Sequence, residues 1–125
     1  MGREKKLIGM SGERIASDFL KRRGYRILGS NFRTPFGEID IVARLGRVMV
    51  FVEVKSRATS SFGPPYLSVT RLKQRHIIKN ALFYLKRKRL KDIDWRIDIV
   101  SVKLNYRGDP ESVELIENAV EDWQW

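Results

Sequence analysis

"GEIDIVARLGRVMVFVEVKSR", residues 37 to 57, holds the longest apolar run of the chain, and Asp40, Glu53 and Lys55 sit inside it or at its end. Residues 38 to 43 and 47 to 55 are rich in Ile, Val and Phe, and "RLGR" separates them, so the stretch reads as a hairpin of two strands. In the second strand Val48, Val50, Val52 and Val54 line one face, while Met49, Phe51, Glu53 and Lys55 line the other. The first face is apolar throughout. The second turns to Glu and then Lys, as a strand does where a core meets a rim or cleft. An even loop centred on Leu45 and Gly46 sets Asp40 opposite Phe51 and Glu38 opposite Glu53. Asp40 is then the diagonal neighbour of Glu53, roughly 7 Å away at the backbone. An odd loop or a bulge would turn Asp40 to the valine face and remove the pair.

Two carboxylates about 4 Å apart repel by something like 4 kcal/mol at an effective dielectric near 20, and burial adds several kcal/mol per ion. Lys55 offsets only one of them. A divalent cation would neutralise the rest, and an all-oxygen site suits Mg²⁺ or Mn²⁺, whereas zinc calls for imidazole or thiolate. Glu13 is a candidate third carboxylate at the margin of an apolar helix stripe, with Gly12 beside it permitting close approach to the sheet. A glutamate near a helix N-terminus is also favoured by the helix dipole alone. Glu-x-Lys by itself is common in a charged chain and often marks a cross-strand ion pair. The apolar strand, the acid on the preceding strand and the basic chain together favour a site.

Around this hairpin the other elements follow from punctuation. Residues 11 to 23 carry Ile15, Ala16, Phe19 and Leu20 at helical spacing, from a cap at Ser11 to a stop at Gly24. Residues 25 to 32 form a short first strand with a bend at Gly29. "ATSSFGPPY" is a loop, after which Ser68 caps a helix running to Leu85 or Leu90 with an inward stripe of Ile77, Ile78, Ala81, Leu82 and Leu85. "WRIDIVSV" alternates as a strand, "NYRGDPE" turns, and "SVELIENA" reads as a last, edge-like strand. The expected fold is a mixed α/β (α+β) sheet in the order helix, three strands, helix, strand, plus one extra edge strand, in a single domain over residues 1 to 125.

The 125 residues suffice for one real core, and 42% hydrophobic residues exclude a disordered chain. Twenty-five Lys and Arg against 15 Asp and Glu give a net charge of +10, which favours polyanionic partners, nucleic acid first. The absence of cysteine excludes disulfides, thiolate zinc sites and cysteine nucleophiles, and suits a reducing cytoplasm. No stretch reads as a signal peptide or membrane span, so the expectation is a cytoplasmic protein without a membrane partner. His76, the only histidine, lies off the helix stripe and is no candidate general base.

"GE" at 12 to 13, "GEID" at 37 to 40, "VFVEVKSR" at 50 to 57, "FG" at 62 to 63 and "RIDIV" at 96 to 100 resemble the bacterial YraN-like proteins. That family is similar in motif and element order to the PD-(D/E)XK nuclease superfamily, with its restriction-endonuclease-like core, which includes archaeal Holliday junction resolvases. The resemblance implies a metal-dependent endonuclease. Asp40 stands at the superfamily's Asp, Glu53 at its second acid, Lys55 at its lysine, and Glu13 at the first-helix glutamate of the resolvases; Ile39 stands where the signature has proline. Asp40, Glu53, Glu13 and the Val54 carbonyl would then hold Mg²⁺ or Mn²⁺, with Lys55 steadying water or developing charge. Glu38, Gln74 and Lys73 are possible supporting residues, and Asp98 is a weaker acidic candidate that more simply pairs with Arg96. Arg57, Arg71, Lys21 and Arg22 are candidate contacts to a nucleic-acid backbone. DNA is favoured over RNA, branched DNA included, and a homodimer is a reasonable expectation. The main rival is a nucleic-acid-binding module on the same fold without catalysis; a basic scaffolding protein is a more distant third.

Overall fold

The structure is a computed structural model; it describes residues 2–58 and 70–120, with side chains from Gly12 onward. Helix α1 (Gly2–Arg22) is followed by strands β1 (Arg26–Thr34), β2 (Gly37–Leu45) and β3 (Val48–Ala58). Then come α2 (Arg71–Arg87), β4 (Trp95–Leu104) and β5 (Pro110–Ile116). The five strands form one mixed sheet in the order β1-β2-β3-β4-β5. Only β3 and β4 pair in parallel; the other neighbours are antiparallel. The expected order of elements and the edge position of the last strand are both present.

Alternation along β3 decides the layering. Val50 and Val52 join Ile41, Ala43, Val100 and Val102 beneath Ala16 and Leu20 of α1, and Met49 and Phe51 join Ile97 beneath Ile77, Ile78, Ala81, Tyr84 and Leu85 of α2. Helices therefore cover both faces, and the central strands are apolar on both sides where the sheet is thickest.

Four details correct the sequence reading. First, α1 begins at Gly2 and not at a Ser11 cap, because the strong helix formers of "REKKLIGM" carry the helix backwards through Ser11. Its end is as expected: Gly24, at φ 89°, lets its own N–H reach Lys21 O and that of Tyr25 reach Leu20 O, both at 3.0 Å. Second, Leu82 is 50% exposed, and Tyr84 takes its place in the core. The Tyr84 ring meets Phe32 and Phe51 edge-on at centroid distances of 4.9 and 5.4 Å, which rotates the helix away from Leu82.

Third, the N-cap of α2 is Thr70, whose hydroxyl accepts from Lys73 N at 3.3 Å; the proposed cap Ser68 and most of "ATSSFGPPY" lie outside the described residues. Fourth, the hairpin turn is Gly46-Arg47, closed by the pair Leu45↔Val48, one residue beyond the expected centre. The loop is even, as required, with Gly46 at φ 60°. Val42 nevertheless faces Phe51, and the same register carried forward sets Asp40 beside Glu53 directly and not diagonally. Glu38 consequently faces Arg33 of β1 and not Glu53.

Asp98 is fully buried in β4 and belongs to a structural network. Its carboxylate accepts from Tyr25 Oη (3.0 Å), Arg96 Nε (3.0 Å) and Asn118 N (2.9 Å). The pairing with Arg96 expected from their shared strand face is present, and it ties the α1–β1 junction and the segment after β5 to the sheet.

Candidate metal centre

The ladder between β2 and β3 stops at Ile41↔Val52. Beyond it the side chain of Asp40 does what a backbone carbonyl would have done, and its Oδ2 accepts the Val54 N–H at 2.7 Å. The strand also loses strict alternation here. Ile39 packs in the core under α2 and Ile41 in the core under α1, although two residues apart they should share a face. Across from this kink, Asn31 of β1 lies between the pairs Ser30↔Ile41 and Phe32↔Ile39 and adopts φ 54°, a left-handed conformation that Asn tolerates better than most residues. The distortion feeds Glu38 and Asp40 towards α1.

Helix α1 comes to meet them. A Cβ at Gly12 would stand 1.7 Å from Ser56 Oγ and 2.9 Å from Ser56 Cβ, so the helix backbone presses on β3 where only glycine fits. The next residue is Glu13. Glu13, Glu38 and Asp40 each offer a carboxylate oxygen, and the three lie within 4.8 Å of one another. Glu53 is hydrogen-bonded to Asp40, and its Oε1 lies 3.1 Å from Lys55 Nζ.

The charges are unbalanced. Burial and then the charge of Glu53 push the Asp40 carboxyl up to about 8, against the lowering effect of the Val54 N–H; Glu13 adds to the rise and Lys55 opposes it. Glu53 is also raised by burial, though the ion pair with Lys55, the bond to Asp40 and the charge of Lys73 hold it down. Glu13 is raised by burial and by the charges of Glu38 and Glu53, while a hydrogen bond from Asn31 lowers it. Four carboxyl groups thus converge where Lys55 pairs with Glu53 and Arg33 Nε reaches Glu38 Oε2 at 3.9 Å, and burial beside Glu53 favours the protonated form of Asp40. A hard divalent cation bound by oxygen matches both the donor set and the missing charge.

Asp40, Glu53, Lys55 and Glu13 are accordingly brought together. Glu38, expected only as support, stands among the three clustered acids, and Glu53 is set slightly apart by its lysine. Val54 contributes its N–H to Asp40. Lys73 on α2 is near enough for its charge to act on Glu53, and Gln74 beside it is half-buried. Arg57 is half-buried late in β3, Arg71 is exposed in the first turn of α2, and Lys21 and Arg22 are exposed in the last turn of α1, about 12 Å along the helix from Glu13. His76 is exposed, and Asp98 serves the network described above.

Two residues near the centre had not been singled out from sequence. Asn31 contacts both Glu13 and Glu38. Asn80, 5% exposed on α2, donates from Nδ2 to Glu38 O at 3.4 Å and accepts from Thr34 Oγ1, tying the helix to the β1–β2 turn. A lone amide within the apolar stripe of α2 was the available signal for Asn80.

Among the described residues no helix is long and apolar enough to cross a membrane. Residues 12–102, from Gly12 through the whole acidic cluster, match the model of the uncharacterised protein family UPF0102. A UPF0102 protein of Caldicellulosiruptor saccharolyticus is 43% identical over 115 residues, covering 92% of this chain and 98% of its own. One from Geobacter sulfurreducens is 46% identical over 116 residues (93% and 90%), and one from Pelobacter propionicus is 50% identical over 115 residues (90% and 81%). With the family match running through every element that builds the centre, and relatives 43–50% identical over most of both chains, the chain belongs to the uncharacterised protein family UPF0102.

Proposed function

We propose that this protein is a divalent-cation-dependent endonuclease that hydrolyses phosphodiester bonds in nucleic acid, with DNA the expected substrate. The observation that carries the reading is the cluster of Glu13, Glu38 and Asp40, with Glu53 and Lys55 alongside, on a chain of net charge +10. The resemblance of "GEID" and "VEVK" to the PD-(D/E)XK signature supports the same chemistry.

Glu13, Glu38 and Asp40, with Glu53 and the Val54 carbonyl near by, would hold Mg²⁺ or Mn²⁺. Such an ion, when bound, supplies positive charge that polarises a phosphate and makes water more acidic. Asp40 must give up its proton to serve as a ligand, so metal uptake near neutral pH releases protons. Glu53 fixes the Lys55 ammonium, which is then placed to steady negative charge developing on a phosphate. Lys21, Arg22, Arg57, Arg71 and Lys73 would contribute sequence-independent attraction to the phosphate backbone.

The test is incubation of the protein with plasmid, branched DNA and RNA in Mg²⁺ or Mn²⁺, beside Asp40→Asn and Lys55→Ala variants. Cleavage by the wild type is expected to need the metal and to fall by about 10²-fold or more in either variant, with most nucleic-acid affinity kept. Wild-type cleavage no greater than the background of the variants would defeat the enzyme reading; binding that persists without it would indicate a nucleic-acid-binding module.

A further inference from the structure

We infer that Asn31 is a positioning residue, whose side-chain amide clamps Glu13 of α1 and Glu38 of β2 side by side as a prepared pair of cation ligands. With its amide oriented to match its neighbours, Asn31 Nδ2 donates to Glu38 Oε1 at 2.8 Å and to Glu13 Oε1 and Oε2 at 3.2 and 3.1 Å. The opposite orientation sets the carbonyl oxygen against these same carboxylate oxygens, acceptor on acceptor, and is excluded by that repulsion. Asn31 thus spans two elements that share no backbone ladder, a helix and a strand, and does so from a third.

The backbone is bent to allow this. At φ 54° Asn31 leaves the extended conformation in the middle of a strand, and the same stretch of β2 loses alternation between Ile39 and Ile41. An extended residue at this position would direct its side chain elsewhere. Left-handed geometry at a non-glycine residue has an energetic cost that persists where surrounding contacts require it. The two hydrogens of one amide are matched to two carboxylates that repel each other; Arg33 Nε, 3.9 Å from Glu38 Oε2, holds Glu38 alone, and the amide reaches both. Hydrogen-bonded partners of ligating carboxylates commonly tune metal affinity by 10–100-fold.

The inference rests on the metal-binding reading above, and the experiment separates the two. Asn31→Gly keeps the left-handed backbone accessible and removes the side chain together with its amide. Mn²⁺ affinity, measured by electron paramagnetic resonance on the free protein, is expected to weaken about 10–100-fold in Asn31→Gly while its thermal midpoint stays near that of the wild type. Unchanged Mn²⁺ affinity would overturn the clamp, and so would a loss of affinity matched by a loss of folding. Independently of any metal, the Asn31 side chain of the wild type, although exposed, should be ordered on the ps–ns timescale, with a high nitrogen–proton heteronuclear NOE at its NH₂ group. In crystals of metal-free Asn31→Gly the Glu13 and Glu38 carboxylates should stand further apart. A mobile Asn31 amide in the wild type, or an unmoved carboxylate pair, would refute the clamp. If the wild type binds no Mn²⁺ while both metal-free results hold, the metal reading fails and the clamp stands as a purely structural bridge, which overturns its role as a preparer of ligands.

Discussion

Replacing Asp40 by Asn should make the metal-free protein more stable as it destroys the proposed activity. Burial and the charge of Glu53 push the folded-state carboxyl up to about 8 from an ordinary 3.8. A carboxyl whose folded pKa lies above its unfolded one binds more protons in the folded state. Its stability contribution is therefore complete below pH 4 and is lost as pH rises towards 8. A shift of about 4 units at about 1.36 kcal/mol each sets an upper bound of about 5–6 kcal/mol. Solvent at the rim and relaxation of the carboxylates reduce this to about 2–4 kcal/mol at pH 8.5. Asparagine retains an oxygen for the Val54 N–H and presents an NH₂ to Glu53, so the bond that closes the β2–β3 gap survives.

For a chain of this size about 4 °C of thermal midpoint accompanies each kcal/mol, giving a rise of about 8–16 °C. The assay is thermal and urea unfolding of both proteins in chelator from about pH 3 to about pH 9. The curves should coincide at the acid end and diverge as pH rises, with Glu13 and Glu53, also raised, leaving the variant a shallower slope. A wild-type stability that stays flat between pH 5 and 8, or a variant less stable than wild type at pH 8.5, would refute the charge imbalance. Mg²⁺ at about 100 times its dissociation constant should then return about 2.7 kcal/mol to the wild type and much less to the variant.

Gly12→Ala sets a steric cost of about 1–3 kcal/mol against about 1 kcal/mol of helix propensity gained, so a net loss near 1 kcal/mol is expected, recovered in the double variant Gly12→Ala, Ser56→Gly. Chemical denaturation of the three proteins measures it. Tyr84→Ala should cost about 3–5 kcal/mol, whereas Leu82→Ala should stay within about 0.5 kcal/mol, a contrast that the helical stripe alone reverses. Asp98→Ala leaves Arg96 and Tyr25 without their shared acceptor and should cost about 3–5 kcal/mol in urea unfolding. Its Mn²⁺ affinity, measured on the folded fraction, should be unaltered.

The strands were legible because β3 alternates without interruption and its neighbours are β-branched, and that sufficed for the element order and for bringing Asp40 to Glu53. The register was misplaced because "RLGR" offers two even loops, and only the φ 60° demanded of Gly46 as first turn residue, with Leu45 left free to pair with Val48, selects between them. Glu38 was undervalued for a related reason. Alternation keeps Glu38 on the face of Asp40 but the shifted register set it opposite Glu53, whereas its neighbours are Arg33 of β1 and Glu13 of α1, and the kink between Ile39 and Ile41 is invisible to any periodic pattern. Asn31 was missed because a left-handed residue inside a strand answers to partners on two other elements, which local sequence does not record. Leu82 and Tyr84 show the same limit on the helix, where aromatic packing outweighs aliphatic periodicity.

The distortion at Asn31 has a second consequence, because β1 is one of the two edge strands of the sheet and mostly exposed. A long, flat outer strand offers its unpaired N–H and C=O groups to any other chain, and association by strand addition follows. In β1 the register slips between Ile27 and Gly29, and two residues later Asn31 turns left-handed. No straight template longer than a few residues remains. The local deformation that gathers carboxylates on the inner side of β1 therefore blunts its outer edge as a template for strand addition.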